Sequence, residues 1–266
     1  MFLQVQTDNP PLQPETLFHI AGWPITNTQI MLWLILILLV IIFFKIKKFQ
    51  LKPDCKFQHV AEMLYEGMRG FIQQLTGSKK HTEAIFPLIG AIFIFIGFSN
   101  LIGLIPLLTS ITYQGAALLR TPTNDFNTTF SLALSMIILI QITSMKNWGV
   151  WGYLAKYIKI KEIFLGFKKG IGSGFMAIIE FFIGLLDIIS EIAKVISLSL
   201  RLFGNMYAGE VMAAIILGAF AYGLPSIWLA MNLLVAVVQT VVFGSLTAAY
   251  YMMAVKPEEA TNKNQF

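Results

Sequence analysis

Residues 174–222 run for about fifty positions without a proline, and no other stretch limits so strongly what this chain can become. As a single α-helix at ~1.5 Å per residue it would approach ~70 Å, more than twice the ~30 Å of bilayer hydrocarbon, so it cannot stand upright as one span. It has to tilt steeply, bend, or begin outside the lipid. Within it lies Arg201, in SLSLRLFGNMYAGE, with long apolar sequence on both sides. A guanidinium is not neutralised at physiological pH, and placing one near the bilayer centre costs at least ~2.5 kcal/mol. An arginine at that depth calls for an anionic or aqueous partner.

Composition supports the membrane setting: 56% of residues are hydrophobic and only 12% charged, about half the charged fraction usual for a soluble domain. The net charge of +5 does not point to nucleic acid, because the lysines and arginines gather in short clusters beside apolar runs, as topology signals do. A single cysteine, Cys55, excludes an internal disulfide, and His19, His59 and His81 are scattered without metal-ligand spacing. No metal or other cofactor is expected. The polar leader containing NPPLQP lacks the basic n-region of a signal peptide.

Residues 29–44 are nearly unbroken Leu, Ile and Val and read as a first span, with Lys45, Lys47, Lys48, Lys52 and Lys56 directly after it. Positive charge marks the cytoplasmic side, which puts residues 1–28 outside. Residues 57–76 set Val60, Leu64, Met68, Phe71 and Leu75 among charged positions at helical spacing, the pattern of an amphipathic interfacial helix. A second span covers 84–108 and contains FSNLIGLIP, where Asn100 serves either as a hydrogen-bonding contact to a neighbouring helix or as part of an ion path. The loop 109–127 has Arg120 as its one basic residue and reads as external; a third span at 128–145 closes the segment 29–146. Lys146, Lys156, Lys159, Lys161, Lys168 and Lys169 return the chain to a cytoplasmic loop at 147–173. Gly223 and Pro225 then separate two long apolar stretches, predicting a tilted antiparallel helical hairpin over 174–255 before a polar cytoplasmic tail at 256–266. The fold class is an all-α membrane protein with about five membrane helices plus the interfacial helix. The absence of an internal repeat counts against a secondary transporter.

On an ideal helix, Glu180, Asp187, Glu191, Lys194, Arg201 and Asn205 fall within a sector of roughly 80°. For the residues before Ser197, intrahelical pairing such as Glu191 with Lys194 is an equally good account. Arg201 has no carboxylate on its adjacent turns, where Ser197, Leu198, Gly204 and Asn205 stand, so its counter-ion comes from elsewhere. Glu210 lies about 140° round from the middle of the stripe. On the last helix Asn232, Gln239 and Tyr250 share a face, and Gln239, deep in VAVVQTVVFG, is either a contact between helices or a lining group beside Arg201. A stand-alone channel would also use such a stripe. An intramembrane enzyme is not supported, since HExxH, GxSxG and paired-aspartate signatures are missing.

The motif SLSLRLFGNMYAGE, with ITNT before the first span, FSNLIGLIP in the second, PTNDFNTT before the third and the glutamine of the last helix, resembles the a-subunit family of F-type ATP synthases, in its bacterial form. The resemblance implies a non-catalytic, ion-translocating stator of the Fo motor in a bacterial plasma membrane, with its N-terminus outside and its C-terminus cytoplasmic. It implies the c-subunit ring, the peripheral-stalk b subunits, the remaining F1Fo subunits and the lipid bilayer as partners. Arg201 would be the essential arginine facing a ring carboxylate, and Asn205, Glu210 and Gln239 would line aqueous half-channels or adjoin it. Asp187 and Lys194 match an acidic and a basic position of the family. Where some members carry a histidine coupled to the glutamate, this chain has Asn232.

Overall fold

The turn into the first apolar run shows how local chemistry starts a helix here. Thr26 and Gln29 form a reciprocal capping box: the Gln29 N–H donates to Thr26 Oγ1 at 3.4 Å and the Thr26 N–H donates to Gln29 Oε1 at 3.1 Å. In the computed structural model, which describes residues 11–20, 22–47, 56–105, 112–113, 116–157, 171–219 and 223–255, that box opens helix α1 at Asn27–Ile46. Before it, strands β1 (Thr16–Ile20) and β2 (Trp23–Thr26) pair antiparallel across a turn at Gly22, whose φ of 84° suits glycine.

Helix α2 (Lys56–Thr76) and helix α3 (Lys79–Gly103) follow, then a small pair β3 (Thr112–Tyr113) and β4 (Ala116–Ala117) and a 3-10 turn at Pro122–Asn124. Helices α4 (Phe126–Tyr157), α5 (Ile171–Ala219) and α6 (Leu224–Val255) complete the described chain. This is an all-α membrane fold. Helices α1, α3, the Phe126–Gly149 part of α4 and α6 are each long and apolar enough to cross a bilayer. Their outward faces carry large apolar side chains, among them Ile37, Val40 and Phe43 on α1 and Leu234 and Val238 on α6. Exposure of that kind is stable against lipid and unstable in water.

Two compact units divide the chain, Met1–Thr129 with Leu200–Ala248, and Phe130–Ser199 with Ala249–Phe266. In the first, α1 buries Met31 and Ile35, and α3 buries Ile85, Ile89, Ile92 and Ile96 at the three- and four-residue spacing of one helical face. The amphipathic α2 packs on α3 through edge-on rings, Tyr65 with Phe86 at 5.0 Å and Phe71 with Phe93 at 6.3 Å. Thr76 and Thr82 share a 2.6 Å hydroxyl hydrogen bond beside the sharp turn at Gly77. Asp125 starts α4: its Oδ1 accepts from the Asn127 N–H at 3.1 Å and its Oδ2 from the Thr128 hydroxyl at 3.2 Å, with Thr28 of α1 reaching the same oxygen at 3.5 Å. A cap at the head of α4 is thus tied to the head of α1.

In the second unit α4 buries Ala133, Met136, Ile137 and Ile140, and Ser144 donates at 3.1 Å to the Ala254 carbonyl near the end of α6. Gly149, with φ 72°, breaks the helical path of α4, and Tyr153 beyond the bend donates back to Gln141 Oε1 at 2.9 Å. The 49 residues of α5 form one uninterrupted helix, as a stretch without proline permits.

Several boundaries differ from the sequence reading. Helix α3 begins at Lys79, before its apolar run, because the charged first turn still continues the backbone hydrogen bonding, and α5 begins at Ile171. The strand pair β1–β2 occupies part of the segment 1–28, and helix α4 extends to Tyr157, into the segment read as the loop 147–173. Lys48 and Lys52, residues 158–170 of that loop, residues 106–108 of the second span and the tail 256–266 lie outside the described residues. Replacing Asp125 with alanine should destabilise the protein by about 1 kcal/mol, the usual loss of an N-cap, while Asp125→Asn retains most of it; thermal unfolding in detergent reads the difference.

Candidate ion-translocation site

The motif residues meet in the first unit, where residues 200–219 of α5 run against residues 224–248 of α6. The register is antiparallel, since position 205 meets 239 and position 209 meets 232. Asn205 Nδ2 donates to Gln239 Oε1 at 2.8 Å, and Gln239 is buried although apolar residues surround it in sequence. Burying an amide in this setting is tolerable only when it is bonded, and Asn205 supplies the bond. Gln239 Nε2 has no hydrogen-bond partner among the described residues and remains a free donor beside Asn205.

One helical turn further along α5, the Gly209 carbonyl accepts from both Trp228 Nε1 at 3.1 Å and Asn232 Nδ2 at 3.3 Å. The glycine leaves room for this contact: a Cβ there would stand 3.1 Å from Asn232 Oδ1, a tight approach. These two hydrogen bonds to one carbonyl hold the turn that carries Glu210, which is half-buried. Asn232 therefore acts here on the backbone next to Glu210. Gly209 and Trp228 were not among the residues singled out as site candidates from sequence. The signal available was a glycine directly before an intramembrane glutamate, with an indole one turn ahead of Asn232.

Arg201 is exposed on the surface of the chain and makes no hydrogen bond or ion pair among the described residues. Nine positions separate it from Glu210, which on a helix means ~180° of rotation and ~13.5 Å of rise. The two charges face opposite sides of α5. On the Arg201 side Asn205, Ala208, Met212 and Ile215 are also exposed, and Gly204 has open space where a Cβ would be. Small residues flanking an intramembrane charge let a second helix approach closely. Elsewhere on α5, Phe203 stacks on Tyr207 at 5.5 Å and meets Phe126 edge-on at 5.9 Å.

Asn100 of α3 is fully buried, and its Oδ1 accepts from the Thr123 hydroxyl at 2.8 Å. In the second unit Lys194 pairs with Glu191 at 2.6 Å and lies over the Tyr250 ring at 5.2 Å, so local pairing is realised at that end of the stripe. Asp187 is exposed and Glu180 half-buried.

A model of the family described as ATP synthase A chain matches residues 28–252. The chain belongs to that family. It is 36% identical over 243 residues to ATP synthase subunit a of Desulforamulus reducens, covering 88% of this chain and 81% of the relative. It is 30% identical over 240 residues to ATP synthase subunit a of Moorella thermoacetica, covering 90% and 95% of the two chains. It is also 30% identical over 246 residues to ATP synthase subunit a, sodium ion specific, of Propionigenium modestum, covering 90% and 78%. The match to the A-chain family spans both strands of the polar pairing, Asn205 with Gln239 and Gly209 with Asn232, and the exposed Arg201 between α3 and α6 in sequence.

For this A-chain member, Asn232→Leu should lower stability by about 1 kcal/mol, the net worth of a typical hydrogen bond. Asn232→His, which keeps a donor, should lose less. Thermal unfolding of the two variants in detergent measures the contrast.

Proposed function

We propose that this chain is the ion-translocating stator subunit of the Fo sector of a bacterial ATP synthase, coupling ion flow across the membrane to rotation of a ring of c subunits and so to ATP synthesis. The observation that carries this reading is Arg201: a permanent cation on the outer surface of an apolar helix, with no acid of its own chain paired to it among the described residues. Facing lipid it would be untenable, so a carboxylate from another subunit is its natural complement. Membership of the ATP synthase A-chain family is in keeping with a chain that works within a larger complex, and the open surface at Gly204 and Ala208 leaves room for a partner.

The mechanism follows from charge. A ring carboxylate entering the interface meets Arg201, and an opposite charge within ~4–6 Å favours its ionised form, so its ion leaves through one aqueous half-channel. As the ring turns, the carboxylate leaves the arginine, is neutralised from the second half-channel and returns to lipid without most of the cost of burying a charge. Arg201 also blocks direct leakage between the half-channels. With ~2.3 kcal/mol per charge for each 100 mV, the flux supplies torque. Glu210, on the far side of α5 from Arg201, serves one half-channel, Asn100 lies on a path of the same kind, and Gln239 and Asn205 hold the polar surface beside the arginine. Lys194 and Asp187 belong to the other end of the stripe.

The positive-inside pattern supports an N-terminus outside and a C-terminus in the cytoplasm with α2 at the interface, and in this reading peripheral-stalk b subunits hold the chain against the ring. The subunit itself makes no covalent bonds; the chemistry of ATP resides in the rest of the complex. A stand-alone channel would conduct when purified alone, whereas a stator needs its ring.

Arg201→Ala should abolish ion-driven ATP synthesis while the subunit remains inserted and assembled, and Glu210→Gln should lower flux less, since water can relay in its place. ATP synthesis in proteoliposomes, driven in turn by a proton and by a sodium gradient, checks both. Full synthesis by an assembled Arg201→Ala complex would overturn the assignment.

A further inference from the structure

The third crossing helix ends in a bend that its apolar run does not require. The crossing part of α4, Phe126–Gly149, has 24 residues. At ~1.5 Å per residue that is ~36 Å against ~30 Å of hydrocarbon, long enough to reach the headgroup layer. There the backbone leaves the helical path at Gly149, whose φ of 72° a glycine adopts without a steric cost. The chain beyond the bend stays with the span: the Tyr153 hydroxyl donates to Gln141 Oε1 at 2.9 Å, which holds the next turn beside the end of α4. Gly152 packs on Trp148 across the bend, where an added Cβ would stand 3.7 Å from the Trp148 Cβ.

Bent and pinned in this way, the turn presents two indoles outward. Trp151 is 86% exposed, the most of any large apolar side chain among the described residues, and Trp148 is 40% exposed. The surface leading to them is a ridge at four-residue spacing, Leu134, Ile138 and Ile142, all exposed, and it ends at the exposed Lys146. Apolar side chains along the span, then a cation and two indoles at its end, is the order that suits a helix leaving hydrocarbon for headgroups, because an indole joins an apolar body to a polar N–H. The sequence from 146 to 169 holds six lysines against one acid, Glu162, so the surface that complements this end is anionic. An acidic leaflet meets both demands, and it is continuous with the lipid that covers the ridge of α4.

We propose that the bent end of α4 is a lipid-binding foot: Trp148 and Trp151 seat in the boundary between headgroups and acyl chains of the cytoplasmic leaflet, and Lys146 beside them holds the headgroup of an acidic phospholipid. The foot sets the depth of α4 in the bilayer. It is an interfacial element additional to α2, made by a bend instead of by an amphipathic helix. The choice of leaflet rests on the orientation proposed above; the anchoring does not.

The test uses the assembled ATP synthase in vesicles of phosphatidylcholine and phosphatidylglycerol. The subunit carries Cys55→Ser and Asn147→Cys, reactive cysteines elsewhere in the complex are replaced, and a fluorophore is attached at position 147, which is exposed between Lys146 and Trp148. Brominated phosphatidylglycerol should quench the label about threefold more than brominated phosphatidylcholine at the same mole fraction, and about 0.5 M salt should remove most of that difference. Lipids brominated close to the headgroup should quench more than lipids brominated at the chain end. Trp148→Ala combined with Trp151→Ala should cut lipid quenching about twofold and raise quenching by aqueous iodide to a similar degree, whereas Lys146→Gln should weaken the preference for phosphatidylglycerol and leave the depth unchanged. A label shielded from both lipid and iodide, as under a protein partner, a label reached by iodide alone, or equal quenching by the two lipids would each overturn the proposal. The measurement on the labelled subunit with both indoles in place decides between these outcomes even where the double tryptophan variant fails to assemble. Reaction of position 147 with a membrane-impermeant maleimide from the face opposite F1 would overturn the orientation and the leaflet named here, while lipid quenching still decides the anchoring.

Discussion

Arg201 sets a permanent positive charge on an apolar helix, with no counter-ion for it among the described residues. A guanidinium on an apolar surface is costly until a counter-charge or water completes it. The surface around it is small at Gly204 and Ala208, leaving room for approach. Asn205, one turn along α5 from Arg201, donates to Gln239. Were an acid of the same chain to pair with Arg201, the interaction with a passing carboxylate would have to compete with it and the differential effect on that carboxylate would fall.

The geometry also separates tasks along α5. Arg201 and Glu210 face opposite sides of the same helix, so they meet different surroundings. The Gly209 carbonyl, clamped by Trp228 and Asn232, makes the turn at Glu210 rigid without using a titratable side chain. On the far end of the described helix, Glu191 and Lys194 neutralise each other locally. Arg120, Asn100 and Asn124 are further buried polar residues, with side-chain atoms that have no partner among the described residues.

Which of these features could be read from the amino acids alone depended on range. The four apolar helices were legible because a bilayer demands a run of a minimum length, and α5 because no proline interrupts it. Arg201 stood out since charge against an apolar background needs no tertiary information. The strand pair β1–β2 was not legible, as its strands are short, one contains Pro24, and only the turn at Gly22 hints at it. Contacts such as Asn205 with Gln239 or Thr123 with Asn100 depend on the register between helices distant in sequence, and helical periodicity gives a face without naming what it meets. The burial of Arg120 was invisible for the same reason: a lone arginine in a loop between two spans looks solvated until the loop is seen folded over the end of α3.

The most direct test of the central claim is an experimental structure of the assembled complex, with the distance measured from the Arg201 guanidinium to the nearest carboxylate. The account predicts a carboxylate of another subunit within ~4–6 Å, close enough to hold it ionised. An acid of this same chain, or a lipid phosphate, bound to Arg201 in its place would contradict it.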